Sequence, residues 1–234
     1  MVYGSVGAGK SSFISSVSSI IRGRMAIPAT ASAITSDASF TTKYETHRIQ
    51  KEVRGNFYPF VFSDTMGLEG SGGVRVEDIK LALKGHVPEG YTFNPVAPLS
   101  DTGPSYKYSP SLDDRVHLLV CVCDANASEI KESVLQKMRE VREAAHDLGI
   151  PQIAIVTKID EACEETEKSL KNVYRSGYLK QMVIICHLIL GIPLNYILPV
   201  KNYTSEISLD DDVDSLILSA LRLIDFGDDF IDKM

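Results

Sequence analysis

Two hydrophobic patterns alternate along the chain. Residues 57–63, 115–123 (R-V-H-L-L-V-C-V-C), 152–157 (Q-I-A-I-V-T) and 196–200 form short apolar runs. Runs without in/out alternation are what a parallel sheet covered on both faces produces, so all four read as buried strands. Between them, apolar residues recur at three- and four-residue spacing. Ile130, Val134, Leu135, Met138, Val141, Ala145 and Leu148 make one stripe, with Ser128 placed to cap its start and Gly149 with Pro151 to end it. Leu170, Val173, Tyr174 and the run 182–190 predict a helix or helix pair closed by Gly191 and Pro193. A last helix over 213–224 follows Asp210, Asp211 and Asp212, acidic residues suited to a helix N-terminus. This alternation predicts right-handed crossovers and an α/β fold: a doubly wound, mostly parallel sheet with helices on both faces. Residues 24–42 and the proline-rich residues 86–110 fit neither pattern and read as long loops, functional or partly mobile. No boundary divides the chain, so residues 1–234 are expected to form a single domain.

Composition narrows the function. A hydrophobic share of 44 % and a charged share of 24 % are ordinary for a globular protein. The net charge is −7 and no basic stripe is visible, which argues against a general nucleic-acid binder. The longest apolar run, 182–192, is interrupted by His187 and too short for a membrane span. Cys121, Cys123, Cys163 and Cys186 form no C-x-x-C pair, and no signal peptide opens the chain. Cys121 and Cys123 read as core residues, and His47, His86, His117, His146 and His187 show no ligand spacing. A reduced, cytoplasmic chain is expected.

The chemistry is concentrated in three short motifs. Gly4-Ser5-Val6-Gly7-Ala8-Gly9-Lys10-Ser11 matches the phosphate-binding pattern G-x-x-x-x-G-K-[ST]. Its glycines let successive backbone N–H groups turn toward phosphate oxygens. Lys10 supplies a point charge to the β- and γ-phosphates, and the Ser11 hydroxyl takes a position on Mg²⁺. A helix over residues 11–21, starting with Ser11 and Ser12, would aim its positive end at the anion. Only Met1, Val2 and Tyr3 precede the loop, so either the chain is a fragment or truncated form of a longer protein or its first strand is abnormally short.

Asp64-Thr65-Met66-Gly67 matches D-x-x-G, a weak pattern made informative by its position at a strand end ahead of a glycine-rich, flexible, switch-like stretch, residues 68–73. Asp64 would hold Mg²⁺ through water, and the Gly67 amide would sense the γ-phosphate. Thr157-Lys158-Ile159-Asp160 closes the third predicted strand and matches [NT]-K-x-D. A carboxylate is acceptor-only, so Asp160 can take two parallel hydrogen bonds from guanine N1–H and N2–H₂, a donor pair adenine lacks. Lys158 would cover a face of the base and Thr157 would brace the loop. Pro199-Val200-Lys201-Asn202 stands where a last base-contacting loop would be, with Lys201 as its binding residue. A threonine completing the Mg²⁺ shell is expected from the loop before the edge strand that begins near Lys43. Thr30, Thr35, Thr41 and Thr42 all qualify by position, and Thr41 is favoured as metal ligand and catalytic residue beside Lys10.

With these motifs placed, the chain resembles a guanine-nucleotide-binding domain of the TRAFAC type and, more closely, the interferon-induced protein 44 family. The resemblance is carried by Gly7-Ala-Gly-Lys-Ser-Ser-Phe13, Lys43-Tyr44, Tyr91-Thr-Phe-Asn-Pro95, Ser109-Pro-Ser-Leu-Asp-Asp-Arg115, Asn202-Tyr203 and Leu216-Ile-Leu-Ser-Ala-Leu-Arg222. It implies cytoplasmic GTP or GDP binding with Mg²⁺, interferon-induced expression and a role in antiviral or immune responses. It also implies protein partners in immune signalling or on microtubules, and a homodimer formed through the G-domain. Longer family members carry an N-terminal region ahead of this domain.

Two departures from efficient GTPases bear on turnover. Leu68 follows D-x-x-G where a water-orienting Gln is usual, and Val6 occupies the P-loop position where glycine leaves room for an arginine finger worth about 10³–10⁵ in rate. The expectation is a slow or partner-dependent GTPase, with Glu69 or a dimer partner as a source of the missing group. The alternative is a non-hydrolysing module that holds nucleotide structurally.

Overall fold

In the computed structural model, residues 1–25, 42–51, 55–126 and 130–225 are described. Their elements in chain order begin with strand β1 (Val2–Gly4), helix α1 (Lys10–Ile21), strands β2 (Glu45–Gln50) and β3 (Phe57–Asp64), and helix α2 (Val76–Leu83). Strand β4 (Leu119–Asp124), helix α3 (Glu132–Asp147), strand β5 (Gln152–Thr157) and the short helices α4 (Ile159–Ala162) and α5 (Glu164–Lys168) follow. Helix α6 (Gly177–Leu190), strand β6 (Ile197–Pro199) and helix α7 (Asp211–Asp225) complete the order.

The six strands form one sheet in the order β2-β3-β1-β4-β5-β6. All pairs are parallel except β2–β3, so the sheet is mostly parallel with an antiparallel edge. Helices α1 and α7 pack in contact on one face, and α2, α3 and α6 pack in series on the other. Each face has its own core. Phe13, Val17, Val122, Ile155, Val200 and Ile217 lie in one, and Tyr3, Leu68, Ile79, Met138, Val156 and Leu190 in the other. This is the expected doubly wound arrangement. No helix among the described residues is long and apolar enough to cross a membrane.

Local chemistry explains the helix ends. The Ser176 hydroxyl accepts from the Leu179 amide at 3.3 Å to start α6, and Gly191, with φ 65°, ends it. Asp210 Oδ1 accepts from the Asp212 and Val213 amides, at 3.0 and 3.1 Å, and so caps α7. Helix α3 begins after Lys131; the expected cap Ser128 lies outside the described residues.

Several expectations need correction. The run 57–63 is not a buried strand throughout: Phe57, Tyr58 and Val61 are 46 %, 37 % and 45 % exposed. The reason is topological, since β1 reaches β3 only at Val2↔Asp64, and the first half of β3 pairs with the edge strand alone. The strand expected from residue 115 starts at Leu119, because Leu112–Asp114 form a 3-10 turn and the Val116 amide is taken by Leu83 O at 3.1 Å. The strand expected over 196–200 is only Ile197–Pro199, preceded by a 3-10 turn at Leu194–Tyr196. Of the helix or helix pair expected from Leu170 onward, the first part is a 3-10 turn at Leu170–Asn172 and the second is α6. Residues 86–110 contain no helix or extended strand, yet Val87, Phe93 and Leu99 are buried and His86 stacks on Tyr106. That segment is a coil whose apolar anchors pack into the core, while Val96 and Tyr108 stay exposed.

Candidate functional site

The chain enters the site through β1, in the middle of the sheet. Its last residue, Gly4, lies so close to β4 that a Cβ there would stand 2.2 Å from Val122 O, and its φ is +154°. Only glycine fits both constraints. The following turn delivers Lys10 to the start of α1, whose first turn holds no acidic residue to offset the positive helix end. Lys10 is buried and its Nζ donates to Ser5 O at 3.0 Å and Gly4 O at 3.4 Å. Burial lowers its pKa, and the nearby Asp64 charge opposes that shift. Gly7 is exposed at the crest of the turn, with Ser5, Val6, Gly9, Ser11 and Ser12 half-buried and Ala8 buried beneath.

Asp64 ends β3 beside this loop. Its Oδ2 accepts the Ser11 hydroxyl at 2.5 Å, while Oδ1 is buried without a well-formed hydrogen bond. Burial raises the Asp64 pKa, against the Ser11 hydroxyl and the Lys10 charge. A hydroxyl and a carboxylate in contact, one oxygen of the latter unsatisfied, are the hard-oxygen donors Mg²⁺ takes alongside phosphate and water. The residues present therefore fit that ion. Among the described residues no three His, Cys, Asp or Glu side chains form an all-protein metal centre. Thr41, with Thr30 and Thr35, lies outside the described residues; Thr42 is exposed, and its carbonyl accepts from the Phe93 amide at 3.0 Å.

The loops after β5 and β6 close on the same turn from the other side. Thr157 is fully buried and its hydroxyl lies 2.6 Å from Ala8 O and 3.1 Å from Cys123 O. Asn202 donates from Nδ2 to Gly9 O at 3.1 Å, so close that a Cβ on Gly9 would stand 2.8 Å from that nitrogen. Two loops distant in sequence are thus hydrogen-bonded to consecutive residues of the glycine-rich turn. Lys158, at φ 55°, pairs with Asp124 at 2.7 Å. Asp160 lies in α4, with Lys201 Nζ 3.5 Å from its Oδ2 and 3.0 Å from Glu206 Oε1. Asp160 thus lies three residues beyond Thr157 and pairs with Lys201, the neighbour of Asn202, so both loops that carry these charged groups are bonded to the glycine-rich turn.

The switch-like stretch 68–73 is anchored at its start, while Ser71 and Gly72 stay exposed. The Leu68 amide donates to Gly4 O at 2.9 Å, and Leu68 O accepts from the Val6 amide at 3.2 Å, extending the sheet by one bridge onto Ser5. The Leu68 side chain is 1 % exposed in the core that contains Tyr3 and Val74. Gly67 packs against Val6, where an added Cβ would meet Val6 Cγ2 at 2.5 Å. From α3, Lys137 Nζ donates to Glu69 O at 2.7 Å and to Gly72 O at 3.4 Å. An apolar residue at position 68 explains this: it is drawn into the core and takes its backbone with it.

Several partners escape sequence reasoning. Asn202 stands next to the expected Lys201, but nothing in its identity signals a cross-link to Gly9. Asp124 ends a strand and could have been read as a loop anion. Glu206 and Lys137 carry no motif at all; each acts because the tertiary structure brings it to a loop.

No protein-family model matches the chain. The human interferon-induced protein 44-like is 37 % identical over 239 residues, an alignment covering 100 % of this chain and 52 % of that protein. Mouse interferon-induced protein 44 is 33 % identical over 225 residues, covering 96 % of the chain and 53 % of its own length. The human interferon-induced protein 44 is 33 % identical over 237 residues, covering 100 % of the chain and 53 % of the relative. The chain thus spans about half the length of the curated relatives it matches.

Proposed function

We propose, for a chain that belongs by sequence along its whole length to the interferon-induced protein 44 family, that it is a guanine-nucleotide-binding domain with Mg²⁺ and at most slow GTP turnover. Its relatives' names carry interferon induction, and a place in the interferon-induced, antiviral response is proposed with it. The observation that carries the nucleotide reading is the pair of hydrogen bonds from Thr157 to Ala8 O and from Asn202 to Gly9 O. They join the candidate phosphate loop to the loops bearing Asp160 and Lys201, at the two ends that one purine nucleotide would occupy.

Each residue then has a definite task. Backbone amides of residues 7 and 9–11, with the α1 N-terminus, would face the phosphates, and Lys10 would add a positive charge. Ser11 and Asp64 would hold the cation, which when bound would neutralise phosphate charge. Asp160 reads the two N–H donors of guanine and leaves a carboxylate unpaired against adenine.

The second reading, nucleotide as a structural ligand without hydrolysis, is favoured by Leu68. Its side chain lies in the core and its backbone is bonded to Gly4 and Val6, so it neither orients water nor moves freely. Titration of the purified chain with GDP, GTP and ATP in Mg²⁺ tests the common premise. Guanine nucleotides are expected to bind, ATP to compete poorly, and Lys10→Ala to lose binding. Equal displacement by ATP and GTP, or unchanged affinity in Lys10→Ala, overturns the proposal. Single-turnover phosphate release separates slow turnover from none.

A further inference from the structure

The base-reading carboxylate of the proposed site shares its neighbourhood with a second acid. Lys201 Nζ stands between two carboxylates, 3.0 Å from Glu206 Oε1 and 3.5 Å from Asp160 Oδ2. A charge-assisted N–H···O bond is usually about 2.7–2.9 Å, so the ammonium is held nearer to Glu206 and only loosely to Asp160. Glu206 is itself anchored: its Oε2 accepts the Thr204 amide at 2.7 Å and the Ser205 amide at 3.1 Å. The turn it closes is tied down by Tyr203, whose amide donates to Ser16 Oγ at 2.9 Å and whose hydroxyl donates to Asp214 at 2.6 Å. Asn202 ties the same turn to Gly9.

We infer that Glu206 is a positioning residue for base recognition, restraining Lys201 so that the Asp160 carboxylate keeps its acceptor capacity for the paired N–H donors of a 2-amino-6-oxopurine. The inference rests on the guanine reading above and names a residue that reading does not use. Lysine is a compact charge on a flexible stem. Released from Glu206, it closes on Asp160 and competes, as a cation, with the neutral donors of the base. Burial disfavours the Glu206 charge, but the Thr204 amide and Lys201 outweigh it and hold the pKa down at about 2, so the restraint is present throughout the neutral range. Lys201, Asp160 and Glu206 side chains are 24 %, 23 % and 26 % exposed, so solvent moderates the effect.

The test is a double-mutant cycle read by calorimetric titration with GDP and with inosine diphosphate, which lacks the 2-amino group. Glu206→Gln keeps an acceptor for the Thr204 and Ser205 amides but loses the charge that holds Lys201. It is expected to weaken GDP binding about five- to twenty-fold and to narrow the preference for GDP over inosine diphosphate. On a Lys201→Met background, the same substitution is expected to change GDP affinity less than about twofold. Glu206→Asp, which draws the carboxylate back by one methylene, is expected to fall between wild type and Glu206→Gln and serves if the latter does not fold. Equal losses on both backgrounds mean that Glu206 merely supports the loop, and they overturn the inference, as does unchanged GDP affinity in both Glu206 variants. Absence of GDP binding by the wild-type chain overturns the nucleotide reading and this inference together; wild-type binding with an additive cycle overturns the inference alone.

Discussion

Leu68→Gln places at position 68 the residue that efficient GTPases use to orient water, and the structure predicts damage rather than gain. Leu68 is 1 % exposed in the core. Removing a fully buried leucine side chain forfeits about 1.5–3 kcal/mol of apolar transfer energy. Burying a carboxamide there without partners adds about 1–3 kcal/mol. The sum, about 2.5–6 kcal/mol, is a large part of the roughly 5–15 kcal/mol that holds a domain folded. At about 2–4 °C per kcal/mol for a domain near this size, the midpoint falls by roughly 5–24 °C. Differential scanning calorimetry of wild type, Leu68→Gln and the volume-conserving Leu68→Met reads the stability term, with Leu68→Met expected to cost less than about 1.5 kcal/mol. Single-turnover phosphate release reads the chemistry, and no acceleration is expected from Leu68→Gln. A Leu68→Gln protein melting within 2 °C of wild type and hydrolysing GTP faster would refute the reasoning, since the side chain would then face the ligand and not the core.

Three further substitutions or conditions probe the frame of the site. Thr157→Val keeps the shape of the side chain but withdraws the hydroxyl from Ala8 O and Cys123 O; a loss of about 1–3 kcal/mol is expected in urea unfolding. Thr157→Ser should stay nearer wild type, and equal midpoints for the Val and Ser variants would count against the bridge. Gly4→Ala sets a Cβ 2.2 Å from the backbone oxygen of Val122, with φ at +154°; a cost of at least about 1–3 kcal/mol is expected from overpacking. An Ala variant with an unchanged urea midpoint would show that β1 and β4 are not so close. Glu206 has a folded pKa of about 2 against an ordinary 4.5, so its contribution is present above pH 4.5 and lost as pH falls through the folded value. The melting-temperature gap between wild type and Glu206→Gln is accordingly expected to shrink as pH drops from 4.5 toward 2, and a gap that widens would reverse the assigned sign.

Where local pattern and tertiary environment agree, the fold was legible. The residues of β4 and β5 are apolar on both faces because helices cover both faces, and an uninterrupted run such as Q-I-A-I-V-T records that directly. Where they disagree, pattern misled. Phe57 and Tyr58 look like core residues, but they are exposed, and their half of β3 pairs with the edge strand alone. Helix α2 went unread because it has only 8 residues and begins after Arg75 with no side-chain cap, so neither its length nor its start carries a signal.

The amino-acid order by itself determined the glycine-rich turn with Lys10 and Ser11, the acidic strand end at Asp64, the T-K-I-D stretch and the alternation of strands with helices. These are features of spacing, set by residues a few positions apart. Tertiary structure alone decided that Thr157 and Asn202 reach the turn, across 149 and 193 residues, because that depends on the order of strands in the sheet. It also decided that Leu68 turns inward and that Glu206 meets Lys201. A short motif states which groups are on offer; only the packed sheet, by excluding water and closing long loops, fixes which of them meet.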